Sequence, residues 1–545
     1  MSLEEAKEKE NRQARTQPVP AGRSESRAEL ERARLERQRQ WEAKRPKIAT
    51  PPSVTAPTTK RRNIAILSDL PADDEPSTSS SGGQHPYSSR SSPSSSVPKV
   101  FQRFYKGAVR RVANQWYPDG DSFAFKELVG PPSTLRGAVV SAYCLDEEWI
   151  AESLPYHAFL LYVRPRHRGE ATPDFAEYSW RPNTYRVIPK DKTQSPRGGI
   201  MHTKLLIFYH EDFCRIVIST ANAVSYDWSQ VDNAFYVHDF PRRRSASPVN
   251  EESNPFKNPT HTQFSKKFFQ VCYYLDFPKH ILQESLHYDF SSSTDVQLVH
   301  SNQGKFPVVD YDKGGGIAGL AKAVSALDFA NGGHWEIEAT GSSIGQYSST
   351  WLTQMLAACS GIHPSTYFHS SKGNVVPSQL PKTLSGQPTR LPIKIIFPTQ
   401  DEILGSLGGA GHGGTIFCQT KTWNSSTFPK HLFHRGESKR KKIPAHTKII
   451  LGLHKFTKSP TPPVHEGFIY LGSHNFTSSA WGRLQNGKDG PQLFCNNYEL
   501  GVVLPIRASS AEELEAKATE LVTYKRPPVK YGPNDEPWQQ ELFLK

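Results

Sequence analysis

The sequence predicts an α/β protein built from two similar halves related by pseudo-two-fold symmetry, behind a disordered N-terminal tail. Three observations predict this. From Val100 onward, short aliphatic and β-branched runs alternate with helical stretches, the composition of an α/β fold. One polar constellation, set on an apolar frame, occurs once in each half. Residues 1–98, by contrast, alternate charge blocks with Pro/Ser/Thr tracts and hold few large apolar side chains, too few to offset the entropy of ordering.

The tail carries 17 basic and 13 acidic residues, so it contributes +4 of the formal net charge of +13 and the remainder holds +9. Most of the basic surplus therefore belongs to the folded part, where it favours a polyanionic partner, nucleic acid above all. Within the tail, Ser26-x-x-Glu29 opens a run of Arg/Glu helix formers to Trp41. That pattern reads as a short solvated helix, polar on every side. Lys44-Arg45-Pro46-Lys47 and Lys60-Arg61-Arg62 are compact basic clusters, an expected nuclear address. Ser77 to Ser96 reads as a linker with phosphorylatable serines.

The first half, 99–325, contains the apolar runs Phe159–Val163, Leu205–Phe208 and Ile216–Ile218 and a helical stretch Gln263–Leu275. A Gly- and Asn-bearing region, Ser301–Gly333, interrupts the pattern, and a new series opens at Trp335-Glu336-Ile337, so the second half is set at 326–545. In the interruption, Val308-Val309 and Gly314-x-Gly316-x-x-Gly319, with Glu336 downstream, fit a dinucleotide fingerprint. A genuine fingerprint opens its βαβ unit, whereas this one sits at the expected junction, so the glycines are assigned to a turn and no cofactor is expected.

No run of eighteen apolar residues occurs, and the N-terminus is acidic where a secretory signal is basic; neither membrane insertion nor export is expected. The six cysteines are scattered, with no Cys-x-x-Cys pair or Cys/His cluster. Scattered core thiols in a reducing compartment are expected, and no metal.

The two constellations are Met201-His202-Thr203-Lys204 with Thr220-Ala221-Asn222, and Ala445-His446-Thr447-Lys448 with Ser473-His474-Asn475. Each His-Thr-Lys opens an apolar run, each Asn closes a second one, and a tryptophan, Trp228 or Trp481, stands six places after the Asn. On a strand, side chains two apart share a face, so His202 projects with Lys204 and His446 with Lys448. Antiparallel pairing of the two runs would centre on residue 212 in the first copy and between 460 and 461 in the second, at turn-like Glu211-Asp212 and at Ser459-Pro460-Thr461-Pro462-Pro463 within the longer loop Phe456–His465. Each half then delivers one imidazole, one ammonium and one amide to one spot. Two such sets around a phosphodiester suit in-line transfer: one imidazole attacks phosphorus, the other protonates the leaving oxygen, and Lys and Asn hold the equatorial oxygens without a metal.

At these residues the sequence resembles the phospholipase D superfamily, with its H-x-K-x4-D and G-S-x-N motifs. The superfamily aspartate is replaced by Tyr209 and Leu453, which is similar to the tyrosyl-DNA phosphodiesterase branch that acts on 3′ ends. Asp227-Trp228, Ser342-Ser343-Ile344-Gly345, Gly413-Gly414-Thr415, Ala480-Trp481-Gly482 and Tyr498-Glu499-Leu500-Gly501-Val502 match that branch too. The resemblance implies that His202 is the nucleophile, forming a phosphohistidine, and that His446 is the acid and then the base. It implies that Lys204, Lys448, Asn222 and Asn475 bind the phosphate, that Glu499 orients His202, and that Asn233, where the family commonly has Gln, orients His446. Ser343, Thr415, Ile416, Phe417, Cys418 and Thr477 match DNA-contacting positions. The implied substrate is DNA bearing a 3′-tyrosyl remnant of topoisomerase I, or another 3′ adduct, cleaved to a 3′ phosphate by a monomer without cofactor. A nuclease or lipase of the superfamily, and an inactive DNA-binding scaffold, are the competing readings.

Overall fold

The computed structural model describes residues 101–167, 170–193, 198–243, 261–330, 333–370, 391–456 and 463–544. The expected tail, with its helix and basic clusters, lies outside them, as does most of the loop 456–465.

Seven strands of a nine-stranded sheet run, in spatial order, Ala108–Val112, Ala234–Pro241, Phe213–Ser219, Leu205–His210, Leu135–Ser141, Phe159–Val163, Thr184–Val187. A second sheet repeats that order with Gln297–Ser301, Asn497–Ala508, His465–Gly472, Ile449–Lys455, His334–Thr340, Ile393–Phe397, Phe433–Arg435. Pair for pair the relations agree: antiparallel through the first five strands, parallel for the last two steps. The doubling expected from the polar motifs is thus a doubling of whole-sheet topology.

One boundary moves. Gln297–Ser301, on the first-half side of the expected 325/326 division, is the edge strand of the second sheet, paired with Asn497–Ala508. The Gly-bearing region is therefore a connection inside the second half, running through helix Gly316–Ser325 to strand His334–Thr340. Its glycines serve close packing. Val308–Asp310 is a 3-10 turn rather than a strand. Gly315 and Gly316 have φ of 69° and 54°, and a Cβ on either would collide with the carbonyl of His300 or Trp481. A left-handed backbone against a neighbouring carbonyl admits only glycine.

Strand alternation builds the core. Leu205, Ile207 and Tyr209, with Ile216 and Ile218, point to the same interior as Ile449, Leu451, Leu453, Ile469 and Leu471. The intervening Leu206, Phe208 and Val217 face a cluster on the far side of the first sheet, and Ile450, Phe468 and Tyr470 one on the far side of the second. The two sheets thus share an inner core and each carries an outer one, so both faces of every central strand are apolar. Helix Gln263–Tyr274 matches its expected span to a residue, with Leu275 as its C-cap. Thr262 caps its N-terminus by accepting the Ser265 N–H, and Phe264, Phe268, Val271 and Cys272 form its buried face at helical spacing. All six cysteines are buried and free. Among the described residues no helix is long and apolar enough to cross a membrane.

Candidate active site

Each His-Thr-Lys lies immediately before its strand, Leu205–His210 or Ile449–Lys455, and each Asn lies just past the end of the partner strand. The observed registers pair Leu205 with Ile218 and Ile449 with Leu471. Both hairpins therefore centre half a residue earlier than expected, and extending the ladder sets His202 against Ala221 and His446 against His474, not against the asparagines. The ladder ends with Lys204 C=O accepting from Ser219 N–H and Lys448 C=O from Gly472 N–H. The chain then bends, and the bend turns Asn222 and Asn475 inward.

The amide of each Asn is held by its oxygen. Asn475 Oδ1 accepts the N–H groups of Ser342 and Ser343 at 2.9 and 3.1 Å, and Asn222 Oδ1 accepts that of Cys144 at 3.4 Å. The donors follow topologically equivalent strands, Leu135–Ser141 and His334–Thr340. With Oδ1 occupied, Nδ2 is left as the donor edge; that of Asn222 reaches Asp227 Oδ2 at 3.0 Å.

The halves exchange partners across the site. Ile200–Met201 pairs in parallel with Asn497–Tyr498, and His202 N–H donates to Tyr498 C=O, so Glu499 comes to 2.8 Å from His202 Nδ1. Reciprocally, Ala445 bridges Asp232, and His446 N–H donates to Asp232 C=O, which brings Asn233 Oδ1 to 3.3 Å from His446 Nδ1. Glu499 and Asn233 occupy equivalent positions of the two repeats, opposite His474 and Ala221 in the extended ladders. The Nζ of Lys448 approaches Thr220 C=O of the other half at 3.5 Å and lies about the His446 ring, 3.1 Å from Nε2. Lys204 Nζ donates to His202 C=O at 2.9 Å. All eight polar side chains of this cluster are less than 5% exposed, and each imidazole is held by a side chain of the other half.

Burial pushes the Glu499 carboxyl up from its ordinary range, against the opposing pull of His474, Lys204 and the hydrogen bonds from Ser473 and Asn497. Ser473 Oγ donates to Glu499 Oε2 at 2.5 Å and Asn497 Nδ2 to Oε1 at 2.9 Å, which fixes the carboxylate plane behind His202. A proton on Nδ1 facing Glu499 leaves the lone pair of a neutral His202 on Nε2. Burial lowers His474 to about 3, and its neutral ring is shared between Ser301 Oγ and Tyr470 OH.

Several contributors carried no assigned role in the sequence. Asp227, fully buried on the 3-10 turn Ser225–Trp228, accepts both the backbone and side-chain N–H of Asn222, and its Oδ2 lies 3.5 Å from His446 Nδ1. It supplies His446 with the negative charge that the Asn233 amide lacks. Asp232, next to Asn233, is 0% exposed and ion-paired to Arg111 and to Arg440 of the second half; Arg440 also reaches Asp119 at 2.7 Å and Val112 C=O at 2.6 Å. The paired tryptophans differ in use. Trp228 donates its indole N–H to Asn222 C=O at 2.8 Å, whereas Trp481 stacks on His474 with centroids 4.1 Å apart.

The expected DNA contacts fall into two groups. Ser343 forms a bridge with Phe417, and Thr477, which caps the turn Ser478–Trp481, lies beside Asn475. Thr415 Oγ1 has no hydrogen-bond partner among the described residues. Ser343 and Thr477 thus adjoin Asn475. The side chains of Ile416 and Cys418 sit in the outer core of the second sheet. The amides of Ile416 and Phe417 donate to the Gly413 and Ser342 carbonyls. No cluster of three His, Cys, Asp or Glu fit to hold a metal occurs among the described residues.

A family model described as tyrosyl-DNA phosphodiesterase matches residues 103–535. The curated "Tyrosyl-DNA phosphodiesterase 1" of Arabidopsis thaliana is 22% identical over 457 residues, 74% of this chain and 68% of that protein. A "Probable tyrosyl-DNA phosphodiesterase" of Schizosaccharomyces pombe is 30% identical over 145 residues, 25% of this chain and 27% of that one. A crystal structure of the yeast tyrosyl-DNA phosphodiesterase superposes with a TM-score of 0.56 at 16% identity, covering 79% of this chain and 99% of that one. A variant of that yeast protein gives a TM-score of 0.57 at 15% identity over 80% and 99%. These structures are similar in fold.

Proposed function

The chain belongs to the tyrosyl-DNA phosphodiesterase family, and on that premise we propose that it hydrolyses the bond between a DNA 3′ phosphate and a tyrosine, leaving a 3′-phosphate end. The observation that supports this reading is the exchange of partners between the halves, which ties each imidazole to the opposite repeat.

In the first step Nε2 of His202 attacks phosphorus, the N–P bond forms, and the P–O bond to tyrosine breaks as His446 gives its proton to the phenolic oxygen. In the second, a water attacks phosphorus and passes a proton to His446, the N–P bond breaks, and the DNA leaves with a 3′ phosphate. Lys204, Lys448 and the Nδ2 groups of Asn222 and Asn475 stabilise the equatorial oxygens as charge moves onto them, so the lysines supply the positive charge. Glu499 fixes the tautomer of His202, while Asp227 and Asn233 fix that of His446. Ser343, Thr415 and Thr477 line the path of the DNA strand, and phosphate contacts of this kind bind without reading bases. A nuclear location follows from the basic clusters of the tail.

The test is release of tyrosine from a 3′-phosphotyrosyl oligonucleotide, with phosphatidylcholine as the alternative substrate. The oligonucleotide should be cleaved by the wild-type protein and not by His202→Ala, and no choline should appear. Cleavage that survives His202→Ala would remove the proposed nucleophile, and choline release would favour a lipase.

A further inference from the structure

In-line displacement puts nucleophile and leaving group on opposite sides of phosphorus. With His202 attacking, the tyrosyl peptide departs on the His446 side, so the surface reached from His446 is the surface the peptide meets.

Two chain segments lead there. The first is the run into His446 itself: Lys441 and Lys442 are exposed, and Lys442 stands four places before His446, at most about 14 Å along an extended chain. The second continues strand Ala108–Val112. That strand is antiparallel to Ala234–Pro241 and so ends at the site, with Val112 N–H donating to Asn233 C=O at 2.9 Å. Onward, Gln115 N–H donates to Ser229 C=O at 2.9 Å, two residues past Asp227, and the chain then presents Trp116 and Tyr117 at 37% and 42% exposure.

The segments meet around His412. The Trp116 ring packs edge-on against it with centroids 5.1 Å apart, and His412 Nδ1 accepts Gly408 N–H at 3.2 Å. Neighbouring Leu407, 51% exposed, donates its N–H to Lys442 C=O at 3.0 Å. His412 is 2% exposed, burial lowers it to about 4, and it is neutral with its proton on Nε2, an atom without a hydrogen-bond partner among the described residues. The rim is therefore two aromatic faces and a leucine beside two ammonium groups, over a buried donor. Exposed aromatics anchor protein contacts, while flanking charges select the partner. An exposed leucine adds nothing to a phosphate backbone, so this composition fits a peptide with apolar and acidic side chains better than a nucleic acid strand.

We propose that the rim formed by Trp116, Tyr117, Leu407, Lys441 and Lys442 holds the peptide part of the adduct and favours acidic and apolar residues next to the linking tyrosine. This rests on the reading of the site as a 3′-phosphotyrosyl hydrolase with His202 as nucleophile.

The test uses the full chain and one oligonucleotide carrying, at its 3′ phosphate, either tyrosine alone, a short acidic peptide or a short basic peptide linked through tyrosine. For Lys441→Glu/Lys442→Glu, KM for the acidic adduct should rise about tenfold and KM for the basic adduct should fall, with kcat and the tyrosine-only substrate changed less than about twofold. Trp116→Ala should raise KM for both peptides and spare tyrosine alone. Equal effects on all three substrates, or weaker binding of a plain 3′-phosphate oligonucleotide in fluorescence anisotropy, would assign the rim to DNA and overturn the proposal. An unchanged acidic-adduct KM would overturn it too. Wild-type protein inert on every substrate would instead defeat the reading of the site.

Discussion

The two imidazoles are chemically unequal because their supports differ. His202 has a buried carboxylate at 2.8 Å, held by Ser473 and Asn497, whereas His446 has the Asn233 amide at 3.3 Å and the Asp227 carboxylate at 3.5 Å. A carboxylate in line with Nδ1 fixes the tautomer and strengthens Nε2 as a nucleophile, and loss of such a partner typically costs about 10- to 100-fold. Glu499→Gln keeps the shape and removes the charge. Its kcat should fall by that order while its unfolding midpoint stays near that of the wild type; an unchanged kcat would take Glu499 out of the mechanism. The histidines, lysines and asparagines were legible because they recur, and Glu499 and Asn233 through the family motif. Asp227 was visible only as a neighbour of Trp228, since its reach to His446 depends on a short 3-10 turn that leaves no periodic signature.

Among the elements, the sequence pattern announced strand and helix well: strand Phe159–Val163 and helix Gln263–Tyr274 lie where the pattern put them. Register and boundary were less legible. Symmetry between His and Asn suggested that they face each other, but the ladders stop at Lys204 and Lys448 and the chain bends beyond them. A run of glycines marked a division, yet those glycines make room for the carbonyls of His300 and Trp481 inside the second half. Nor does local sequence reveal that Arg440, in the loop leading to His446, is 0% exposed and joins Asp232 and Asp119 of the first half. Breaking a buried pair by removing one partner costs about 3–5 kcal/mol. Arg440→Met should accordingly lower the urea midpoint markedly, and because Asp232 carries the backbone contact to His446, kcat should fall with it. A variant as stable as the wild type would show that the ion pair does not staple the halves.

Over the whole molecule, buried neutral histidines couple folding to pH. Burial lowers His300 and His474 to about 3 and His210, His238 and His412 to about 4. Unfolded, each would bind a proton near pH 6.5. Above that pH neither state is protonated and the term vanishes; below it the unfolded state binds protons first, so stability is lost as pH falls toward the folded values. At pH 5 each of the two most deeply buried rings costs roughly 2 kcal/mol. Denaturant midpoints should be flat from pH 7 to 8 and fall steadily below 6.5, and a midpoint held constant down to pH 5 would show these rings to be proton-accessible in the fold. The proposed function requires the union of the two repeats over one phosphorus. That union is tested most directly by incubating His446→Asn with a 3′-phosphotyrosyl oligonucleotide, resolving the products under denaturing conditions and mapping any adduct by mass spectrometry. The protein should accumulate covalently on the DNA through His202, with tyrosine released once per molecule and no adduct in His202→Ala. Continued turnover without an adduct, or an adduct mapped to another residue, would contradict it.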